Sequence, residues 1–161
     1  MIILVVGASG ATGQQLVEQL LIQGHTVKAI VRSPESLPES WKNNTQLQII
    51  SASILDLSNK EMSDHVSDCD AIASCLGHSM NWKGIYGDPR KLVTDATHRL
   101  CNAIEANKLE SPIKYVLMNT TGNRNRDLSE PISFAQKCVI GLLRLLLPPQ
   151  VDNEKAADYL R

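Results

Sequence analysis

The chain has 161 residues, of which 43% are hydrophobic and 20% charged, enough for one domain with a sizeable core. Sixteen Lys and Arg against seventeen Asp and Glu leave a net charge of −1, which excludes a general electrostatic attraction to nucleic acid or to an acidic membrane. Cys69, Cys75, Cys101 and Cys138 form no C-x-x-C pair, so reduced, mostly buried thiols in a cytoplasmic protein are expected.

The start has no basic n-region, and its apolar run breaks at Gly7, so no secretory leader is expected. Ile2–Val6 is short, unbroken and rich in β-branched residues, the pattern of a strand buried on both faces. A helix over 11–23 follows. Leu16, Val17, Leu20 and Leu21 share one face, Gln15, Glu18, Gln19 and Gln23 the other, and Gly24 marks the stop. Residues 27–31 form the next strand, completing a unit of βαβ size. Ser33-Pro34-Glu35 reads as an N-cap before a short helix, cut off by Pro38.

Leu47–Ser51 is a third strand. Ser58-Asn59-Lys60-Glu61 matches a capping box, with a helix running to about Val66. Residues 71–76 form a fourth strand, ending at Gly77. Asp88-Pro89 opens the longest helix, with Val93, Ala96, Leu100 and Ile104 inward. Pro112 announces a fifth strand over 113–118. A polar loop over 119–130 leads to a helix over 133–147, apolar nearly all round, which needs a cover. Pro148-Pro149 end it, and a last helix begins at Asp152. The segment 138–147 is too short to cross a bilayer and contains Arg144. Alternating strands and helices predict an α/β fold, a doubly wound parallel sheet of order 3-2-1-4-5.

The chemistry concentrates in GASGATG, residues 7–13. A strand precedes it and a helix follows, and a helix N-terminus offers free amides and partial positive charge to phosphate. Gly7 permits the tight turn, Gly10 removes a side chain where a pyrophosphate must approach, and Gly13 brings the helix close. Ser9 and Thr12 supply hydroxyls, and the amides from Ala11 onward face the anion. A P-loop is excluded because Gln14 stands where Lys is needed, and a G-x-S-x-G nucleophile elbow is excluded because the fifth residue from Gly7 is Ala11. Arg32 and Ser33 follow the second strand where NAD binders usually place an acid. A guanidinium there forks to a 2′-phosphate, so NADP is expected rather than NAD. Leu76 and Gly77 close the fourth strand at the edge where such sheets bind ligands, and His78 comes next, either touching phosphate or ribose or facing solvent. His25, His65 and His98 are isolated, and no metal site is expected.

Read whole, GASGATG resembles the turn of the extended and atypical short-chain dehydrogenases, above all their NAD(P)H-binding, NmrA-like and flavin-reductase (biliverdin reductase B)-like branch. VKAIVRSPESLP, DAIASCLG and KYVLMNTTG resemble that branch's second, fourth and fifth strands. ILDL resembles its adenine-side segment, with Ile54 where glycine is usual. The resemblance implies a single Rossmann-type NAD(P)-binding domain. It places Asp56 and the Leu57 amide near the adenine, and Thr120, flanked by Asn119 and Thr121, beside the substrate.

Many relatives add a Tyr-x-x-x-Lys pair. Here Tyr86 is followed at that spacing by Arg90 and Tyr115 by Asn119, and Lys155 is preceded by Val151. This absence fits the atypical branch, and the resemblance implies Thr120, at the end of the fifth strand, as the candidate catalytic hydroxyl; the polar loop after it offers Asn123 or Arg124 to a substrate mouth. The helix EKAADYLR resembles one that in relatives continues into a final strand and a substrate-side region, so the domain is expected to lack both. The expected activity is NADP-dependent hydride transfer to a small quinone, flavin or carbonyl acceptor. The alternatives are an NmrA-like NADP sensor without turnover, acting through a regulatory partner, and a sugar-nucleotide epimerase or dehydratase. The missing segment or a partner subunit could cover the apolar helix, the second making a homo-oligomer or a complex with a regulatory partner.

Overall fold

The computed structural model describes residues 1–78, 82–108, 111–120 and 133–161. They form two compact units, the first comprising Met1–Leu76 with Ala96–Met118 and the second Gly77–Asp95 with Asn119–Arg161.

The first unit holds a five-stranded sheet built from β1 (Ile2–Val6), β2 (Thr26–Val31), β3 (Leu47–Ser51), β4 (Ala71–Ser74) and β5 (Lys114–Leu117). The order is β3-β2-β1-β4-β5 with every pair parallel, as the alternation of strands and helices predicted. β1 lies in the middle because it is apolar on both faces: Ile3, Leu4, Val5 and Val6 are all buried.

Register divides the sheet into two faces. Ile3 pairs with Val27 and Ala71, and this face, with Val5, Ala29 and Val31, packs against Val17 of helix α1 (Ala11–Ile22). Leu16, Leu20 and Leu21 flank that core, as their spacing implied. Leu4 pairs with Lys28 and Ile72, and Ile72 with Tyr115, so these side chains share the opposite face. There Lys28 donates to the carbonyl of His65 and pairs with Asp68, just after helix α2 (Asn59–Val66). Tyr115 donates to Thr97 of helix α4 (Leu92–Asn107) at 3.3 Å. Helices therefore lie on both faces of the sheet. Ser58 and Glu61 form the expected capping box.

Local differences from the sequence reading have local causes. Ser33 caps nothing through its side chain, and Pro34–Ser36 is one 3₁₀ turn, because Pro38 leaves no room for a helix. Glu39–Trp41 forms a second such turn, burying Trp41. α4 starts at Leu92 rather than at Asp88-Pro89. In the first unit it buries Ala96, Leu100 and Ala103, while Ile104 is only half-buried.

The second unit contains the short helix α3 (Trp82–Tyr86), α5 (Phe134–Leu146) and α6 (Pro148–Tyr159). α5 is capped by a Ser133/Gln136 box. Pro148-Pro149 do end it, but they also begin α6, four residues before the expected start, since proline suits the first helical turn. α5 has no buried residue, and Phe134, Val139, Leu142 and Leu145 are exposed. No helix among the described residues is long and apolar enough to cross a membrane. All four cysteines are free. Only Cys69 is buried, Cys75 and Cys101 are half-buried, and Cys138 is exposed. Burial pushes the Cys69 thiol up to about 11 and also raises Cys75 and Cys101, so these three are poor nucleophiles.

Candidate functional site

In the first unit the glycine turn joins β1 to α1. Gly7 has φ +76°, and a Cβ there would lie 2.5 Å from the carbonyl carbon and oxygen of Cys75 and 2.7 Å from the Leu76 nitrogen. A Cβ on Gly13 would lie 2.2 Å from the Gly7 oxygen and 2.8 Å from the Ala8 Cα. Both glycines are thus required by the fold: one admits the segment after β4, the other lets the helix seat on the turn. Gly10 is different. Its backbone is extended, φ −75° and ψ 158°, and a Cβ would meet only the Gly7 oxygen, at 3.4 Å. Nothing among the described residues asks for glycine at that position.

Gly10 is also the N-cap of α1. Its amide donates to the Gly7 carbonyl at 3.1 Å, and its own carbonyl accepts from Gln14 at 2.8 Å. No side chain caps the helix, and no acid sits in its first turn. The amides of Ala11, Thr12 and Gly13 therefore lack helical acceptors. They carry the helix's partial positive charge beside the exposed Ser9, Gly10, Ala11 and Thr12. The Ser9 carbonyl accepts from the Gln14 side chain at 3.1 Å, which steadies the turn.

At the end of β2, Arg32 and Ser33 are both exposed. Arg32 forms no ion pair with any described residue, Glu35 included. The Ser33 carbonyl accepts from the Ser36 amide at 3.2 Å and hydroxyl at 2.7 Å, which orients the turn that follows Arg32.

The loop after β3 carries Asp56, exposed, between the buried Ile54 and Leu57. The Ser53 carbonyl accepts from the amides of Asp56 at 3.0 Å and Leu57 at 3.3 Å. The Leu57 amide, expected to meet an adenine nitrogen, is thus already engaged within its own loop. The carboxylate of Asp56 stays exposed. Arg99 of α4 donates to the carbonyls of Ile54 (3.1 Å), Leu55 and Leu57. Sequence reasoning missed Arg99, because an arginine in an amphipathic helix looks like any solvated charge.

In the second unit Gly77 is exposed. His78 is neither solvated nor open to a phosphate: its side chain is 7% exposed, and Nε2 lies 2.8 Å from Oδ2 of Asp152. Asp152 also accepts from the amides of Val93 (2.8 Å) and Thr94 (3.0 Å), capping the start of α4. Burial alone would raise the Asp152 carboxyl. Hydrogen bonds from His78, Thr94 and those two amides outweigh it and hold the group below the usual carboxylate range. Thr120 is exposed, and its hydroxyl donates to Oε1 of Gln150 at 3.2 Å. Gln150 donates to Glu154 (3.1 Å), which also receives both bonds of Arg144. Asn119 accepts from the Thr120 amide at 2.8 Å. Thr121, Asn123 and Arg124 lie outside the described residues. Among the described residues no three metal-ligating side chains converge.

The family model described as NAD(P)H-binding matches residues 7–161. The chain belongs to the NAD(P)H-binding family. NAD(P)H is accordingly the ligand of this family member, and the resemblance of its glycine turn to that of the short-chain dehydrogenases holds at the level of the NAD(P)H-binding Rossmann domain. It is 37% identical over 75 residues to an uncharacterized chloroplastic protein of Arabidopsis thaliana, a match covering 47% of this chain and 27% of that one. Its fold is similar to that of the oxidoreductase ylbE from Lactococcus lactis, with TM-score 0.67 and 18% identity over 99% of this chain and 63% of that one. It is also similar to UDP-glucuronic acid 4-epimerase from Bacillus cereus, solved with UDP-glucuronic acid and NAD, with TM-score 0.71 and 19% identity over 98% of this chain and 50% of that one. The family member thus spans about a quarter of the curated relative's length and between half and two thirds of these two structures.

Proposed function

We propose that this chain binds NADP(H) at the mouth of α1 and belongs to an oxidoreductase that passes hydride to a small quinone, flavin or carbonyl acceptor. The observation that carries this reading is Gly10. The fold leaves it a glycine without needing one, while three unclaimed amides begin just after it. A diphosphate drawn close to the backbone accounts for both. The exposed Arg32, which forms no ion pair among the described residues, supports a 2′-phosphate, and hence NADP over NAD. Asp56, exposed on a loop held by Arg99 and by the Ser53 carbonyl, suits the adenosine side. The branch reading, NmrA-like or flavin-reductase-like, rests on the resemblance of the strand-end segments.

A second reading, a cofactor sensor without turnover, is favoured by Thr120. Its hydroxyl proton is directed at Gln150, and no Tyr-x-x-x-Lys pair stands in its place. Mixing the protein with NADPH and a panel of quinones, flavins and carbonyl compounds separates the two. Loss of nicotinamide absorbance that Thr120→Ala lowers, at unchanged NADPH affinity, is the expected result for the enzyme. Tight NADPH binding with no turnover on any acceptor refutes the enzyme and leaves the sensor.

A further inference from the structure

We propose that Arg99 is the positioning residue for the adenosine side of the nucleotide site, holding the loop that presents Asp56; this rests on the NADP(H) reading. Three backbone carbonyls of one short loop, those of Ile54, Leu55 and Leu57, converge on a single guanidinium. One nitrogen serves Ile54 and Leu55 and the other serves Leu57, so the planar fork matches the loop at two corners. Within the loop the amides of Asp56 and Leu57 share the Ser53 carbonyl. Ile54 and Leu57 turn inward and are buried. What the loop offers outward is the Asp56 carboxylate.

A loop with converging carbonyls repels itself unless a cation gathers them. Without Arg99 those carbonyls turn to water, and the loop samples conformations that carry Asp56 away. Binding adenosine must then order the loop, and that ordering is subtracted from affinity. Arg99 meets this cost in advance, from a helix that the cofactor itself need not touch. Lysine does not replace it, because one ammonium at the end of a flexible stem cannot span two corners.

The test compares wild-type full chain with Arg99→Met and Arg99→Lys. Calorimetric titrations use NADPH and the fragment 2′,5′-ADP, and hydrogen exchange follows the amides of residues 52–58 against those of β1. Both variants are expected to lose roughly tenfold in affinity, by the same factor for the fragment as for the whole dinucleotide. Exchange should rise at Asp56 and Leu57 and stay unchanged in β1. If Arg99→Met fails to fold, Arg99→Lys, which keeps stem and charge, carries the comparison. An unchanged 2′,5′-ADP affinity, or a loss clearly larger for NADPH than for the fragment, overturns the role of Arg99. Wild-type protein that binds neither ligand overturns the nucleotide reading itself, and the two failures are told apart by the wild-type titration.

Discussion

Gly10→Ala separates what the glycine turn does for the fold from what it does for a ligand. The added methyl meets only the Gly7 oxygen, at an ordinary 3.4 Å, and φ of −75° suits alanine. At an N-cap, alanine is worse than glycine by roughly 0.5–1.5 kcal/mol. The stiffer unfolded chain returns about 0.4–1 kcal/mol. Stability should therefore change by less than about 1 kcal/mol, a shift of about 2–4 °C in Tm for a chain of this size. The methyl does, however, stand beside the amides of Ala11, Thr12 and Gly13. A diphosphate kept away from two of them loses about 1.5–3 kcal/mol for each charge-assisted bond. The sum corresponds to about a hundredfold or more in affinity. Calorimetry with NADPH reads the affinity, and a melting curve reads the fold. Gly13→Ala is the contrast: its methyl would sit 2.2 Å from the Gly7 oxygen, and it should destabilise the protein by about 3 kcal/mol through overpacking. Gly10→Ala protein that melts normally and binds NADPH within about threefold of wild type refutes the diphosphate site.

Arg32→Glu should weaken NADPH by at least about tenfold more than NADH, because it puts a like charge against the 2′-phosphate; equal losses for the two would refute the assignment to NADP. Asp152 gives a pH prediction for the second unit. Its carboxyl is held below the ordinary value when folded, so the stabilisation it adds is complete above about pH 4 and disappears as pH falls through its lower folded value. NMR shifts of the Val93 and Thr94 amides should change on acidification in wild-type protein and lose that dependence in Asp152→Asn. A transition that persists unchanged in the variant would assign it to another group.

The strands, their parallel order, the α2 capping box and the glycine turn were all legible in the chain because each is written in neighbouring residues. β1 is apolar without interruption, so it could only be central. The glycines fall between a strand and a helix, where spacing alone names the turn. What each glycine is for was not legible: Gly7 and Gly13 answer to backbone that passes close by, and Gly10 to none. Nor was the fate of the polar side chains. Arg99 reaches residues 54–57, His78 finds Asp152 74 positions away, and Thr120 finds Gln150 30 positions away. Such pairs leave no period and no spacing, because a side chain's partner is chosen by where the folded backbone brings it. Local pattern determined the architecture and the glycine turn; only the tertiary structure decided which polar groups were already satisfied and which remain exposed.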